Sequence, residues 1–277
     1  MKRLLQIELI KLWNNRASKV LIISYFFLLT TIALVAAIKF DFGPIQFHLA
    51  DQGIFNFPYI WHFNTFITAF FKLFLAIVIV SMMANEYSNK TIKQNLIDGL
   101  SKKEFILSKF LTVVSLSLIS TVFVFLVSLI LGFIYSDFME FSIIVSDLEF
   151  LVAFFVKLMG FFSFCLFLGI LVKRSAFALG FLILWQILEG FVRGMIRWKL
   201  FDGETTDTIM SFFPLNAMFN LIKEPFSRLK AVQAASQQMG VKLELNYGVH
   251  WYELMIVLAW TAIFIYLSYA LLKKRDL

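Results

Sequence analysis

Four ionisable side chains stand inside otherwise apolar stretches of this chain: Lys72, Lys157, Glu189 and Arg193. A charge at the centre of a bilayer costs about 2.5–3.5 kcal/mol or more, so such a group faces protein, water or a counter-charge. Glu189 and Arg193 are four residues apart, the spacing of an ion pair on one helix face. Glu189 is also a candidate partner for Lys72 or Lys157 across helices. Pairs of this kind either set helix packing or form a gate or substrate contact, and the residues alone leave both open. Covalent chemistry is not spelled out. Cys165 is the only cysteine, which excludes an intramolecular disulfide and a cysteine metal site. His48, His62 and His250 are scattered near expected outer edges and read as interfacial residues rather than ligands. There is no HExxH pair, no serine in a tight glycine-rich turn, and no GxxxxGK[ST] phosphate loop.

The elements that must position these charges are membrane spans. The chain is 60% hydrophobic and only 16% charged over 277 residues, against about a quarter charged in soluble domains. A spanning helix needs about 20 apolar residues. Six stretches qualify: 20–38, 64–84, 110–135, 148–172, 176–191 (continuing to 198) and 251–272. The expected fold class is an all-α membrane protein with six transmembrane helices, forming one permease-type domain over 1–277. The start is not expected to be a cleavable signal, since its apolar run is too long. The 35 phenylalanines fit either a biased composition or a Phe-lined path for greasy molecules.

Basic residues near span ends set the orientation. Lys2, Arg3, Lys11, Arg16 and Lys19 precede the first span. Lys90, Lys93, Lys102, Lys103 and Lys109 lie between the second and third, Lys173 and Arg174 between the fourth and fifth, and Lys273, Lys274 and Arg275 after the sixth. Six spans place all of these on one side, so both termini are expected in the cytoplasm. The net charge of +7 is accounted for by these ends, without nucleic acid. Residues 1–19 read as an amphipathic interfacial helix, with Leu5, Leu9, Leu12 and Trp13 on one stripe and Lys2, Gln6 and Lys11 off it.

The most structured polar segment is 85–110, NEYSNKTIKQNLIDGLSKKEFILSKF. Ile92 and Leu96 share a helix face. Gly99 suits the left-handed residue that ends a helix. Ser101 and Glu104 have the spacing of a capping box, which starts a second helix through Phe105 and Ile106 into the third span. A short helix, a bend and a re-entry follow, either as a docking surface or as a solvated basic loop.

Glu86-Tyr87, Thr91, Leu96-Ile97, Ser101-Lys102, Ile106 and Lys109 together resemble the pattern of ABC type-2 transporter permeases. Phe213-Pro214-Leu215 resembles that family's apolar-Pro-apolar turn, while Lys90 stands where glycine is common. The resemblance implies a permease subunit of an ATP-driven exporter in the bacterial cytoplasmic membrane, not itself an enzyme. No cofactor is implied in this chain; ATP and Mg belong to a separate cytoplasmic ATPase. A second permease copy, identical or similar, completes the path. The coupling residues it implies are Glu86, Thr91, Ile92, Leu96, Ile97, Gly99, Ser101, Glu104 and Lys109 within 85–109, with residues 2–16 also touching the ATPase. The extracytoplasmic segment 192–250 is implied to be a lid, or else a passive cap. Within it, 211–222 reads as a short re-entrant or surface helix, and 224–239 as a helix with Phe226, Leu229 and Val232 on one stripe. Two other classes are weighed. A gradient-driven secondary transporter would show repeats between its halves, and none is seen. An intramembrane protease lacks its motifs.

Overall fold

Backbone polar groups in lipid find no water, so apolar runs of span length close their hydrogen bonds within themselves as helices. The computed structural model describes residues 2–36, 39–42, 45–48, 53–199, 203–229, 232, 233, 236, 238 and 247–275, and the side chains of 2, 32–48 and 199 lie outside that description. The helices are α1 (Lys2–Asn14), α2 (Arg16–Ala36), α3 (Tyr59–Phe70), α4 (Lys72–Ser88), α5 (Thr91–Ile97), α6 (Lys102–Tyr135), α7 (Phe141–Val145), α8 (Glu149–Val172), α9 (Ser175–Lys199), α10 (Gly203–Met210), α11 (Pro214–Asn220) and α12 (Trp251–Lys274). The one departure from helix and loop among the described residues is an antiparallel hairpin after α2. It joins β1 (Lys39–Phe42) to β2 (Ile45–His48), with Lys39 opposite His48.

Among the described residues, four helices are long and apolar enough to cross a membrane, or five if the bent pair α3–α4 counts as one span. Helix α2 runs for 21 residues over the first expected span and is not among these. The second expected span is not continuous. At Phe71 the backbone ladder tightens to i, i−3 (Phe71 N–H to Thr68 O, 3.0 Å; Phe74 N–H to Phe71 O, 3.1 Å), and the axes of α3 and α4 meet at 46°. No proline or glycine marks this break.

Helix α8 is apolar on all sides and is correspondingly the buried centre. It packs against α3, α4, α6, α9 and α12. Helix α6 runs unbroken for 34 residues, about 51 Å at 1.5 Å per residue. Several of its buried hydroxyls are satisfied on its own backbone, Thr112 on Ser108 O, Ser117 on Val113 O and Ser120 on Leu116 O, while Ser128 Oγ accepts from Asn64 Nδ2 (2.8 Å). That arrangement lets polar residues sit in a span.

Side-chain ties sort the loops into two ends. At one end α1 meets α4 and α6, and Lys102 Nζ donates to the carbonyls of Lys273 (3.3 Å) and Arg275 (3.0 Å). Arg275 also donates to Tyr87 Oη (3.0 Å) and to the last carbonyls of α8 at Ile170 and Leu171. Residues 2–14, 88–102 and 273–275 therefore share one end. At the other end Trp61 Nε1 donates to Ile144 O (2.9 Å), Tyr59 Oη to Pro225 O (2.6 Å) and Val249 N to Glu149 Oε1 (3.1 Å).

Two sequence expectations change at that second end. Residues 224–229 are not a continuous helix: Pro225 precedes a single 3-10 turn, Phe226–Arg228, and Leu229 is extended. Most of 230–246 lies outside the described residues. His62 is fully buried rather than interfacial, stacked on Phe150 at 4.1 Å. Arg228 Nη1 lies 3.2 Å from His62 Nδ1, and His62 Nε2 lies 2.9 Å from Lys223 O. Arginine only donates and a carbonyl only accepts, so the ring is held as the neutral Nε2–H tautomer.

Close packing at this end yields a prediction. A Cβ on Gly132 would stand 2.2 Å from Phe57 Cζ, and that ring is wedged between Trp61 and Phe133. Gly132→Ala destabilises the purified chain by about 1–3 kcal/mol. Gly190→Ala, where nothing lies within 4 Å, leaves the melting temperature unchanged or raises it, because alanine is the better helix former.

Candidate functional site

The chain between α4 and α6 turns on two left-handed residues. Lys90 (φ 55, ψ 20) separates α4 from α5, and Gly99 (φ 98) follows α5. The end of α5 is a Schellman closure: Leu100 N–H reaches Asn95 O (3.0 Å) and Gly99 N–H reaches Leu96 O (3.2 Å). Ser101 then caps α6. Its Oγ accepts from Glu104 N (3.2 Å) while Glu104 Oε2 accepts from Ser101 N (3.0 Å). The Ser101 hydroxyl and amide hold the Glu104 carboxyl below the usual carboxylate range. This support is therefore complete at neutral pH and is lost as pH falls through that lowered value. The expected capping box and glycine stop are both present, and Lys90 adopts the conformation in which glycine is strain-free.

Beneath this loop lies a buried ion cluster. Lys109, fully buried on α6, places Nζ 2.6 Å from Glu8 Oε2 of α1 and 2.6 Å from Glu86 Oε1 of α4. Lys11 Nζ, from the more exposed side, lies 3.0 Å from the same Glu86 oxygen and 3.5 Å from Glu8 Oε1. Thr91, the first residue of α5, donates its hydroxyl to Glu86 Oε2. Two ammonium and two carboxylate groups balance in charge. Burial pushes the Lys11 ammonium down, but the Glu8 charge and the Glu86 hydrogen bond outweigh it, and its pKa stands above the ordinary lysine value. One carboxylate, Glu86, thus joins α1, α4, α5 and α6.

The same geometry divides the short helix α5 into two faces. Ile92 is buried and Leu96 half-buried against the core, whereas Lys93, Gln94, Ile97 and Asp98 face outward. Ile97 is 74% exposed, an apolar side chain presented at the tip of a polar loop. At the start of α5, a cleft of about 510 Å³ runs between α1 and the end of α4, lined by Glu8, Lys11, Asn85, Glu86, Asn89 and Thr91.

The family described as ABC-2 family transporter protein has a model that matches residues 8–277 of this chain. The chain belongs to that family. No curated protein matches it. As an ABC-2 permease it is a multi-pass membrane protein and a translocation component rather than a catalyst.

In this ABC-2 permease the site residues read from sequence fall into two groups. Glu86, Thr91, Ile92, Leu96, Gly99, Ser101, Glu104 and Lys109 build or brace the loop, and Ile97 alone among them offers a large exposed apolar surface. The intramembrane charges do not pair as expected. Arg193 bonds Asp207 Oδ1 (2.5 Å). Glu189, 4% exposed, accepts from Trp185 Nε1 (2.7 Å) and from the first amides of α11, Leu215 N (3.1 Å) and Asn216 N (2.8 Å). The helix turns Glu189 inward toward α11, where partial positive charge at a helix start rewards a carboxylate. Lys157 donates to Phe219 O (3.1 Å), and the Lys72 ammonium lies 4.3 Å from the Phe161 ring centre. Two residues of the ion cluster escaped sequence reading. Glu8 sits on the apolar stripe of α1 between Leu5 and Leu12, and a carboxylate on such a stripe signals a buried partner. Lys11, expected off the apolar stripe of the interfacial helix, turns to the same cluster.

Proposed function

We propose that this ABC-2 permease is the membrane half of an ATP-driven exporter in the bacterial cytoplasmic membrane, with α5 as the element that docks into a separate cytoplasmic ATPase. The observation that carries this reading is the Glu86-centred cluster. It fixes α5 rigidly to α1, α4 and α6 while leaving Ile97 exposed. A helix pinned to two spans at once converts force on its outer face into displacement of both. The end that holds 2–14, 88–102 and 273–275 is then cytoplasmic, in keeping with its lysines and arginines. Two permease copies, identical or similar, and two ATPase subunits complete the assembly. ATP and Mg reside on the ATPase, and the second-end segment 211–229 covers the outward opening.

The test is purification of the tagged chain in mild detergent from its native host, with quantitative mass spectrometry. The expected companion is a P-loop ATPase at about equal stoichiometry. Ile97→Asp keeps the melting temperature and lowers recovered ATPase about tenfold or more, a docking loss of about 1.4 kcal/mol or greater. Leu96→Asp, being half-buried, lowers the melting temperature as well. A chain that carries no ATPase even after cross-linking, and whose transport follows a proton gradient, would establish the secondary-transporter alternative instead.

A further inference from the structure

The break at Phe71 opens into a cleft of about 330 Å³ among α3, α4, α8, α9 and α11, within the range of small-ligand sites. Two lysines and the start of a helix line it, and among the described residues no carboxylate faces them. Lys157 is 2% exposed and bonded only to a backbone carbonyl and the face of Phe219. Lys72 leans on a phenylalanine ring. The first turn of α4, whose residues Lys72 and Leu73 line the cleft, has no side-chain cap, so those of its amides not taken by the Phe74-to-Phe71 turn add the partial positive charge of a helix start. No acidic side chain lines the cleft, and the carboxylate of Glu189 is engaged by Trp185 and α11. An anion brought beside such a buried lysine favours its ammonium form and is attracted by it strongly in a low-dielectric layer. Broken membrane helices in transporters aim their N-terminal ends at anionic substrate groups for the same reason.

We propose that this cleft binds the anionic head group of a lipid-like amphiphile, with Lys72 and Lys157 as the paired cations. The walls argue for an acyl-bearing anion over a free one. Apart from the two lysines and Gln186 they are aromatic or aliphatic, and the mouth lies between Phe70, Leu73, Ile183 and Ile187, all at least half exposed on the apolar flank rather than at either polar end. An amphiphile enters there sideways, with its chain in the apolar layer and its head group between the lysines. That this amphiphile is cargo rests on the permease reading above.

The experiment uses the full chain in nonionic detergent with phosphatidic acid bearing a diazirine in one acyl chain. Photolabelling is expected on peptides containing Phe70, Leu73, Phe161 and Ile187. Native mass spectrometry is expected to show phosphatidic acid retained about tenfold or more tightly than phosphatidylcholine, and K72Q/K157Q losing that preference. K72R/K157R keeps it, and excess inorganic phosphate does not displace the lipid. Label confined to other peptides, equal retention of phosphatidylcholine, undiminished preference in K72Q/K157Q, or displacement by phosphate would each overturn the site. If K72Q/K157Q does not fold, the label map on the unaltered chain decides. With the ATPase bound, phosphatidic acid stimulates ATP hydrolysis by the unaltered complex and not by K72Q/K157Q; binding without stimulation marks a resident lipid and overturns the cargo assignment. The binding arms need no ATPase, so their failure leaves the coupling reading intact, and failure to capture an ATPase leaves this site intact.

Discussion

Lys109→Met lowers the stability of the purified chain by about 3–5 kcal/mol, the scale set by stranding buried carboxylates without their cation. The Lys109 ammonium is fully buried and stands 2.6 Å from both Glu8 and Glu86. Removing it leaves two nearly buried carboxylates facing one another, with only the partly exposed Lys11 to share between them. A melt in detergent, read by intrinsic fluorescence, measures the loss. The decisive control is E8Q/E86Q/K109M. It discards the charges together and recovers most of the stability, because a buried ion cluster contributes little net energy over a neutral packing of similar volume. Lys11→Met, whose side chain is 41% exposed, costs about 0–1 kcal/mol. If the triple variant folds yet no longer retains the ATPase, the cluster serves geometry more than stability. If K109M melts with the unaltered chain, α1 is not tied to α4 and α6 through this contact.

Glu189→Ala has the second large effect. Its carboxylate accepts three hydrogen bonds in a nearly water-free place: Trp185 Nε1, Leu215 N and Asn216 N. Each buried donor left without a partner costs about 1–3 kcal/mol, so the second-end segment around α11 loosens well below the melting temperature of the whole. Hydrogen exchange on peptides spanning 211–222 reads this directly, and Glu189→Gln gives a smaller change. Arg193→Ala provides the contrast. Its partner is Asp207 and both side chains are exposed, so the cost is about 0–1 kcal/mol. Equal effects from Arg193→Ala and Glu189→Ala would restore the intrahelical pairing that their spacing suggests.

Much of the fold was legible because lipid leaves little choice: a long apolar run with no water around it becomes a helix. The loop was legible for a different reason. Gly99, Ser101 and Glu104 act through contacts within a few residues, and local geometry is written locally. The failures share a cause as well. Glu189 carries no sign that its partners are backbone amides of a helix 26 residues on, and four-residue spacing to Arg193 offered a nearer charge. The break at Phe71 carries no proline or glycine. Residues 224–229 have an apolar stripe, but Pro225 removes an amide from any helix running through it. Glu8 was readable in principle as a carboxylate on an apolar stripe, yet its partners lie 78 and 101 positions away, at Glu86 through the shared lysines and at Lys109 directly.

The unbroken rod α6 and the jointed pair α3–α4 are anchored to the same loop, and this makes them mechanically unequal. On the coupling reading proposed above, a push on α5 would tilt α6 as a stiff beam, whereas α4 would swing about the break at Phe71. With 17 residues, α4 is a lever arm of about 26 Å at 1.5 Å per residue. A swing of roughly 10° would therefore carry its tip about 4.5 Å while the hinge end barely translates. The chamber beside Lys72 sits at that fulcrum, where a long stroke at the loop would be geared down to a small change of aperture applied with greater force.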